Sequence, residues 1–193
     1  MRPTYIFIPM SNKILLYYNY ERALRIYKER ILHMRQARGK SNKNKIIAKP
    51  ILLLTVLTAV DHGYLSHNRF DYQELKARYA QLFGKYFVQA GQEGLTPMYH
   101  PFYHLCNDGF WHFSMKNTES STECSSERWL VEHVNYAFFD EDLWVLISHP
   151  EYRKQLINFI VEHKLQRPES LQQGESKGLR HTLSSFLGFI LAI

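Results

Sequence analysis

The 193 residues of the chain are 45% hydrophobic and 15% aromatic, which is enough for a packed core and excludes a disordered protein. The net charge of +6 is concentrated in one stretch. Residues 21–50 contain ten Lys/Arg and two acidic residues, a balance of +8, whereas the rest of the chain carries fourteen basic and sixteen acidic groups. Such a stretch is typical of an arm that contacts nucleic-acid phosphates, and a solvated helix face followed by a loop is the alternative.

Cysteine and histidine usage argues against a metal or a cofactor. Cys106 and Cys124 lie outside any CxxC motif and the histidines are scattered, so no zinc site can be assembled. Two free thiols suit a reducing cytoplasm, and a single disulfide between them is also compatible with the sequence. The apolar stretch 186–193 is too short to span a bilayer, and the N-terminus lacks a signal-peptide cleavage region. We therefore expect a cytoplasmic protein without metal or cofactor.

The first half of the chain predicts helices separated by a basic loop. Residues 14–36 show an apolar stripe at helical spacing, which Gly39 ends, and the loop that follows is polar and basic. Pro50 is well placed in the first turn of a second helix, where its missing N–H costs nothing. That helix continues to Gly63 and is apolar on nearly every side, so we expect it at the centre of the core.

Helical signals also dominate the remaining segments. Residues 71–87 predict a helix with Asp71 as N-cap and Glu74 in the capping-box position. Further helices are predicted over 129–139, from Asp140 onward, and over 152–165.

A β-hairpin is predicted in the aromatic stretch between these helices. Asn107-Asp108-Gly109 is a strong turn signal, and the β-prone segments 102–105 and 110–113 flank it. Aromatic hairpins pack inward by default. We therefore expect four core residues here, which are Phe102, Leu105, Phe110 and Trp111.

Together these elements predict an α+β fold that is mainly helical, a compact helical domain with a small β-hairpin wing. We divide the chain into an N-terminal helix and basic arm (1–47), a recognition domain (48–167), and a linker with an apolar C-terminal tail (168–193).

Three motifs in this order carry a resemblance to a known family. They are KPILLL at 49–54, PFYHL at 101–105 and NDGFW at 107–111, and a looser match follows at 137–143. Over residues 48–165 the chain resembles the sulfur-binding domain of HNH-type, phosphorothioate-dependent type IV restriction endonucleases. The resemblance implies that the chain binds double-stranded DNA in which sulfur replaces one non-bridging phosphate oxygen. It also implies a role in restriction and antiviral defence.

The chemistry of sulfur explains what such a domain needs. Sulfur is larger, more polarisable and more weakly hydrated than oxygen, so an apolar cavity favours it, and burying an unsatisfied charged oxygen is expensive. The resemblance implies that Pro101 supplies the apolar wall, that Phe102 and His104 flank or support it, and that Lys49 lies beside the phosphate. His100 stands where the family has Tyr before the proline, and Tyr99 is one position earlier.

The sequence itself supports some of these residues. A cation at a helix N-terminus is unfavourable to the helix dipole, and a bound phosphate would explain Lys49 there. Arg128 is a candidate for groove or phosphate contact, whereas His104 could equally be an ordinary surface residue. The basic arm adds further candidate phosphate contacts, which are Arg35, Arg38, Lys40, Lys43 and Lys45.

Other functions remain open at this point. The sequence after residue 165 has one His and no Cys, so no HNH nuclease can be assembled and we assign no catalytic residue. A winged-helix regulator of unmodified DNA is one alternative, with Gln73, Lys76 and Arg78 on its recognition helix. A protein-interaction subunit that uses the apolar tail is the other. For the DNA-binding chain itself, a homodimer or a separate nuclease subunit is a candidate partner.

Overall fold

The computed structural model describes residues 19–41, 43–116 and 126–165. Within these ranges the chain is mainly helical with one two-stranded antiparallel sheet, as the sequence predicts. The helices are α1 (Tyr20–His33), α2 (Ala48–Asp61), α3 (Tyr72–Phe87), α4 (Tyr99–His104), α5 (Glu127–His133), α6 (Glu141–Ser148) and α7 (Pro150–Ile160). The strands are β1 (Trp111–Met115) and β2 (Val134–Phe139). A 3-10 helix, Leu105–Asp108, follows α4, and a π-helical turn, Val161–Leu165, follows α7.

Some sequence predictions lie outside the described residues. They concern the start of the first helix at 14–18, Cys124, and the linker and apolar tail after 168.

Helix α2 forms the centre of the core because it is apolar on every side. Its residues from Ile51 to Leu57 are all buried, and α3, α4, α6 and α7 pack around it. The one hydroxyl in that stretch, on Thr55, donates to the carbonyl oxygen of Ile51 at 2.7 Å, so the helix itself satisfies it. Pro50 lies in the first turn, as predicted.

Helix α3 begins where the sequence predicts. The Asp71 side chain accepts hydrogen bonds from the N–H groups of Gln73 and Glu74, which makes Asp71 the N-cap. The preceding residue, Phe70, exchanges two backbone hydrogen bonds with Ala137, of 2.8 and 2.9 Å. The start of α3 is therefore fixed to the edge of β2.

The prediction of a strand over 102–105 is wrong, because this segment is helical. Pro101 lies in the first turn of α4, where no N–H is needed. Phe102 and Leu105, three residues apart, both reach the core from one side of the turn. The predicted turn exists, but Gly109 ends the 3-10 helix with a left-handed φ of 78° rather than closing a hairpin.

The true partner of β1 is β2, which the sequence placed in a helix. Trp111 pairs with Phe139 and Phe113 with Ala137 in the antiparallel register. The predicted helix over 129–139 therefore ends at His133. Its second half is rich in aromatic and β-branched residues, and backbone pairing with β1 outweighs its helical spacing.

A buried aromatic cluster joins α4 to the sheet. The Trp111 ring packs against Phe70, Phe102 and Phe139, with ring centroids 5.3–5.4 Å apart. Its indole N–H donates to the carbonyl oxygen of Phe102 at 2.9 Å. Phe102, Leu105, Phe110 and Trp111 are all fully buried, so the predicted core residues of this region are confirmed. Both the side chain and the carbonyl oxygen of Phe102 therefore hold α4 against Trp111.

Candidate nucleic-acid interface

The basic loop between α1 and α2 folds into a short ribbon, residues 35–46, which we call the basic ribbon. Arg38 and Lys45 form an antiparallel bridge. The N–H of Gly39 donates to the carbonyl oxygen of Asn44 at 2.8 Å, one step nearer the tip of the ribbon. The described part of this segment is thus more ordered than its polar sequence indicates.

The basic ribbon is docked on the segment that follows α3. The Gln92 side chain accepts from the N–H of Ile47 at 3.2 Å and donates to the carbonyl oxygen of Lys45 at 3.0 Å. Asn44 donates to the carbonyl oxygen of Gly91 at 3.0 Å. Its cationic side chains point into solvent, and they are the five of the sequence prediction, Arg35, Arg38, Lys40, Lys43 and Lys45. These contacts hold the ribbon through neutral groups and leave the charges accessible.

Lys49 is a different kind of cation, because it is nearly buried and paired. Its ammonium lies 2.7 Å from an oxygen of Asp108, and the two side chains are 13% and 5% exposed. The other Asp108 oxygen accepts from the N–H of Arg35 at 3.1 Å. Asp108 thus joins the start of the basic ribbon, the N-terminus of α2 and the 3-10 helix after α4. A carboxylate of the chain itself explains Lys49, so its position no longer argues for a phosphate.

Helix α4 presents two histidines above a buried layer. His100 and His104 are exposed and four residues apart, which places them on the same face. Partial burial and then the charge of His104 lower the pKa of His100. The Tyr99 ring lies against the His100 ring, with centroids 4.0 Å apart. Pro101 and Phe102 are buried beneath this face, and Phe102, being fully buried, supports the helix rather than reaching a ligand.

Arg128 lies on α5, the helix beside α4. The ring of Trp129 meets that of Tyr103 edge-on at 5.8 Å, which brings the two helices together. The Arg128 guanidinium is exposed and donates to Glu132 at 2.7 Å. This bond raises the pKa of Arg128 and lowers that of Glu132. Arg128 therefore lies on a helix that neighbours α4, with its charge partly compensated.

Comparison with known proteins now decides the family. The ScoMcrA-like DNA sulfur-binding domain matches residues 25–172. The chain belongs to this family. The matched residues include most of α1, the whole basic ribbon, Lys49, α4 and Arg128.

A solved structure agrees with the family assignment at the level of fold. It is the sulfur binding domain of SprMcrA complexed with phosphorothioated DNA, with a TM-score of 0.55 and 13% sequence identity. The similarity covers 73% of this chain and 85% of that chain. No curated protein matches the chain.

Sequence reasoning missed Asp108 as the partner of Lys49 in this sulfur-binding domain. It treated Asn107-Asp108-Gly109 only as a turn signal. The carboxylate instead takes one bond from each of two residues that lie 73 and 59 positions away in the chain. The only available sequence signal was the unexplained lysine at the start of α2, which called for an anion without saying which one.

The described part of this family member offers two further observations. Residues 19–41, 43–116 and 126–165 contain no group of three or more His, Cys, Asp or Glu placed to hold a metal ion. None of the helices in those ranges is long and apolar enough to cross a membrane.

Proposed function

We propose that this chain reads phosphorothioate in double-stranded DNA with the surface formed by α4, Lys49 and the basic ribbon. The observation that carries the proposal is the position of Asp108. It holds the first residue of a cationic ribbon and the Lys49 ammonium at the end of the 3-10 helix that follows α4, and Pro101 lies in the first turn of α4. An apolar ring and a set of cations on two helices that pack together, α4 and α2, are what a sulfur-bearing phosphate needs.

The roles divide by chemistry. The exposed cations of the basic ribbon attract the DNA backbone whatever its sequence. Lys49 has N–H donors beyond the one that Asp108 takes, and in the proposed complex they hydrogen-bond a single phosphate while Asp108 balances the charge. In the proposed complex the ring of Pro101, which is buried beneath the face that carries His100 and His104, forms the floor of the recess that holds sulfur. An oxygen in that recess would lose its water without gaining a hydrogen bond, which costs more than it does for sulfur.

Contacts on α3 weigh against the winged-helix alternative. Lys76 pairs with Glu127 at 2.5 Å, and the Arg78 guanidinium lies 3.6 Å from the centre of the Tyr64 ring. Two of the three residues proposed to read bases are therefore engaged within the protein. The comparisons support neither this alternative nor the protein-interaction subunit.

We also propose that the chain binds DNA in the cytoplasm without cutting it, and that cutting belongs to a separate nuclease subunit, with a homodimer as the other candidate assembly. Purified protein with magnesium, manganese or zinc should leave both plain and phosphorothioate DNA intact. Metal-dependent nicking that disappears on mutation of a local acid or histidine cluster would overturn this part of the proposal.

Three substitutions test the division of roles by fluorescence anisotropy on duplexes that differ in a single sulfur atom. Lys49→Ala removes hydrogen bonds that serve both phosphates and leaves the Asp108 carboxylate unopposed, so both affinities should fall by about 1–3 kcal/mol. Pro101→Gly removes a contact that only sulfur uses, so the modified duplex should lose more and discrimination should shrink. His100→Ala should fall between these if its ring faces the recess, and should do little if Tyr99 replaces it.

The controls separate recognition from folding. Circular dichroism should first show that each variant is folded, because Pro101 also lies in the core. Pro97→Gly is the matched control, since this proline is exposed and lies just before α4, outside the helix. It should leave discrimination unchanged. Equal loss of both affinities in Pro101→Gly would contradict the assigned role.

A further inference from the structure

Asp108 is unusual in the interface because it is an acidic residue on a surface that is proposed to bind the anionic DNA backbone. Its side chain is 5% exposed, and both of its oxygens are engaged, one by the Lys49 ammonium at 2.7 Å and one by the N–H of Arg35 at 3.1 Å. The two residues that it binds, Lys49 and Arg35, lie within the stretch 21–50, whose net charge of +8 exceeds the +6 of the whole chain. If the site needed only affinity for phosphate, a buried carboxylate paired with Lys49 would be unfavourable.

The pair with Asp108 changes what Lys49 can do. In a nearly dry environment the carboxylate cancels much of the field of the ammonium, and it also repels any phosphate that approaches. The five cations of the basic ribbon are exposed, so they keep their attraction for every phosphate. Asp108 therefore lowers general phosphate attraction at the one place where sulfur is to be distinguished from oxygen.

We infer that Asp108 is a specificity-determining and positioning residue for phosphorothioate reading, an inference that rests on the proposed function. Its carboxylate fixes Lys49 and the backbone of Arg35 beside α4, and its charge keeps Lys49 from binding ordinary phosphates strongly. Each duplex contains many ordinary phosphates and only one sulfur contact. A lysine released from Asp108 would bind ordinary phosphates away from Pro101, where sulfur gains nothing, so fixing Lys49 beside α4 raises the preference for modified DNA.

Three variants test this inference, because they are expected to change DNA affinity in opposite directions. Asp108→Asn frees the lysine charge, so affinity for the plain duplex should rise roughly fivefold to tenfold. The slope of log affinity against log salt should steepen by about 0.9, the value for one added phosphate contact. Lys49→Met leaves the carboxylate unopposed and should weaken binding to both duplexes. The double variant removes both charges and should restore the wild-type salt slope.

The double variant also keeps the test valid if a single substitution unfolds the domain. Replacing a buried ion pair by groups of similar volume is often neutral for stability, whereas removing one partner is not. If Asp108→Asn fails to fold by circular dichroism, a wild-type salt slope in the folded double variant still supports the charge compensation. A slope in the double variant that is flatter by about 0.9 would show that Lys49 contributes a full phosphate contact, and would overturn it.

Glu93→Gln is the matched control. Glu93 is an exposed carboxylate that accepts from the N–H and the hydroxyl of Ser41 in the basic ribbon, at 3.1 and 3.4 Å. Its loss should change both affinities by less than about twofold and leave the sulfur preference unchanged, because exposed charges are screened.

The outcomes separate the inference from the proposed function. If wild-type protein prefers the modified duplex but folded Asp108→Asn binds both duplexes more weakly, with an unchanged salt slope, Asp108 is only structural and the inference fails alone. If the wild type binds both duplexes equally, the proposed function fails and the inference fails with it. A gain for the plain duplex with a steeper slope and a smaller sulfur preference supports both.

Discussion

The basic ribbon keeps its cations in water, whereas the lysine beside α4 is almost dry. Arg38 and Lys45 pair only through their backbones at the bridge, and their charged groups are exposed. Lys49 is held at 2.7 Å by a carboxylate that is itself buried. The two regions lie side by side, and both belong to the residues that match the sulfur-binding family.

This difference teaches how affinity and selectivity can be separated in one small domain. Exposed charges act over about one Debye length, weaken with salt and do not distinguish one phosphate from another. A buried and fully bonded group is fixed in place, so small differences in the size and hydration of the ligand matter there. The proposed function therefore gives general DNA affinity to the basic ribbon and sulfur selectivity to α4 with Lys49 and Asp108.

The largest expected effect tests whether α4 belongs to the core. Phe102 is fully buried and meets Trp111 and Tyr72 edge-on, so Phe102→Ala should lower the free energy of unfolding by about 3–5 kcal/mol. Urea unfolding monitored by circular dichroism measures it. His104→Ala, on the exposed face of the same helix, should change it by less than about 0.5 kcal/mol. Similar losses in both variants would mean that α4 is not anchored as described.

The next effect tests the basic ribbon. If Arg38, Lys43 and Lys45 each contact a phosphate, replacing all three with Gln should flatten the salt slope by about 2.7, at 0.9 per contact, for both duplexes alike. The matched control replaces three exposed cations of α1 and α7 with Gln, namely Arg22, Arg25 and Lys154. The control should keep the wild-type slope. An unchanged slope in the ribbon variant would show that the ribbon is a solvated surface that makes no phosphate contacts.

The smallest effect concerns pH at α4. Burial and the neighbouring His104 lower the pKa of His100, so His100 is neutral at pH 7 and gains its proton only below the ordinary value of about 6.5. Phosphate favours the protonated ring, so affinity for the plain duplex should rise by roughly twofold as the pH falls from 7 through the lowered pKa of His100. His100→Gln should remove this part of the pH dependence in anisotropy titrations. A rise of the same size in that variant would assign it to other groups.

Local signals account for the parts of the fold that the sequence predicted well. Pro50 in the first turn of α2, Asp71 as the N-cap of α3 and Gly63 after α2 act within a few residues of themselves, and each is where the sequence placed it. Aromatic segments gave no such guidance. Residues 102–105 and 134–139 have spacing that suits either a helix or a strand, and only their packing around Trp111 decides between the two.

The candidate site was predictable only in part for the same reason. The order of the motifs indicated that Lys49 and Pro101 belong together, and the charge count indicated the basic ribbon. The bond between Lys49 and Asp108 joins residues 59 positions apart, and spacing in the sequence carries no trace of it. The docking of the ribbon on Gln92 is equally non-local. Contacts of this kind depend on how α2 and α4 pack, which motif order does not describe.

The proposed function requires the domain to recognise one sulfur atom independently of the charge of the DNA backbone. It is tested most directly by titrating the wild-type protein with two duplexes that differ in a single sulfur, at several salt concentrations. Both duplexes carry the same phosphate charge, so we predict two parallel lines of log affinity against log salt, with the modified duplex bound more tightly at every point. Two lines that coincide would contradict the account and show that the domain senses only phosphate charge.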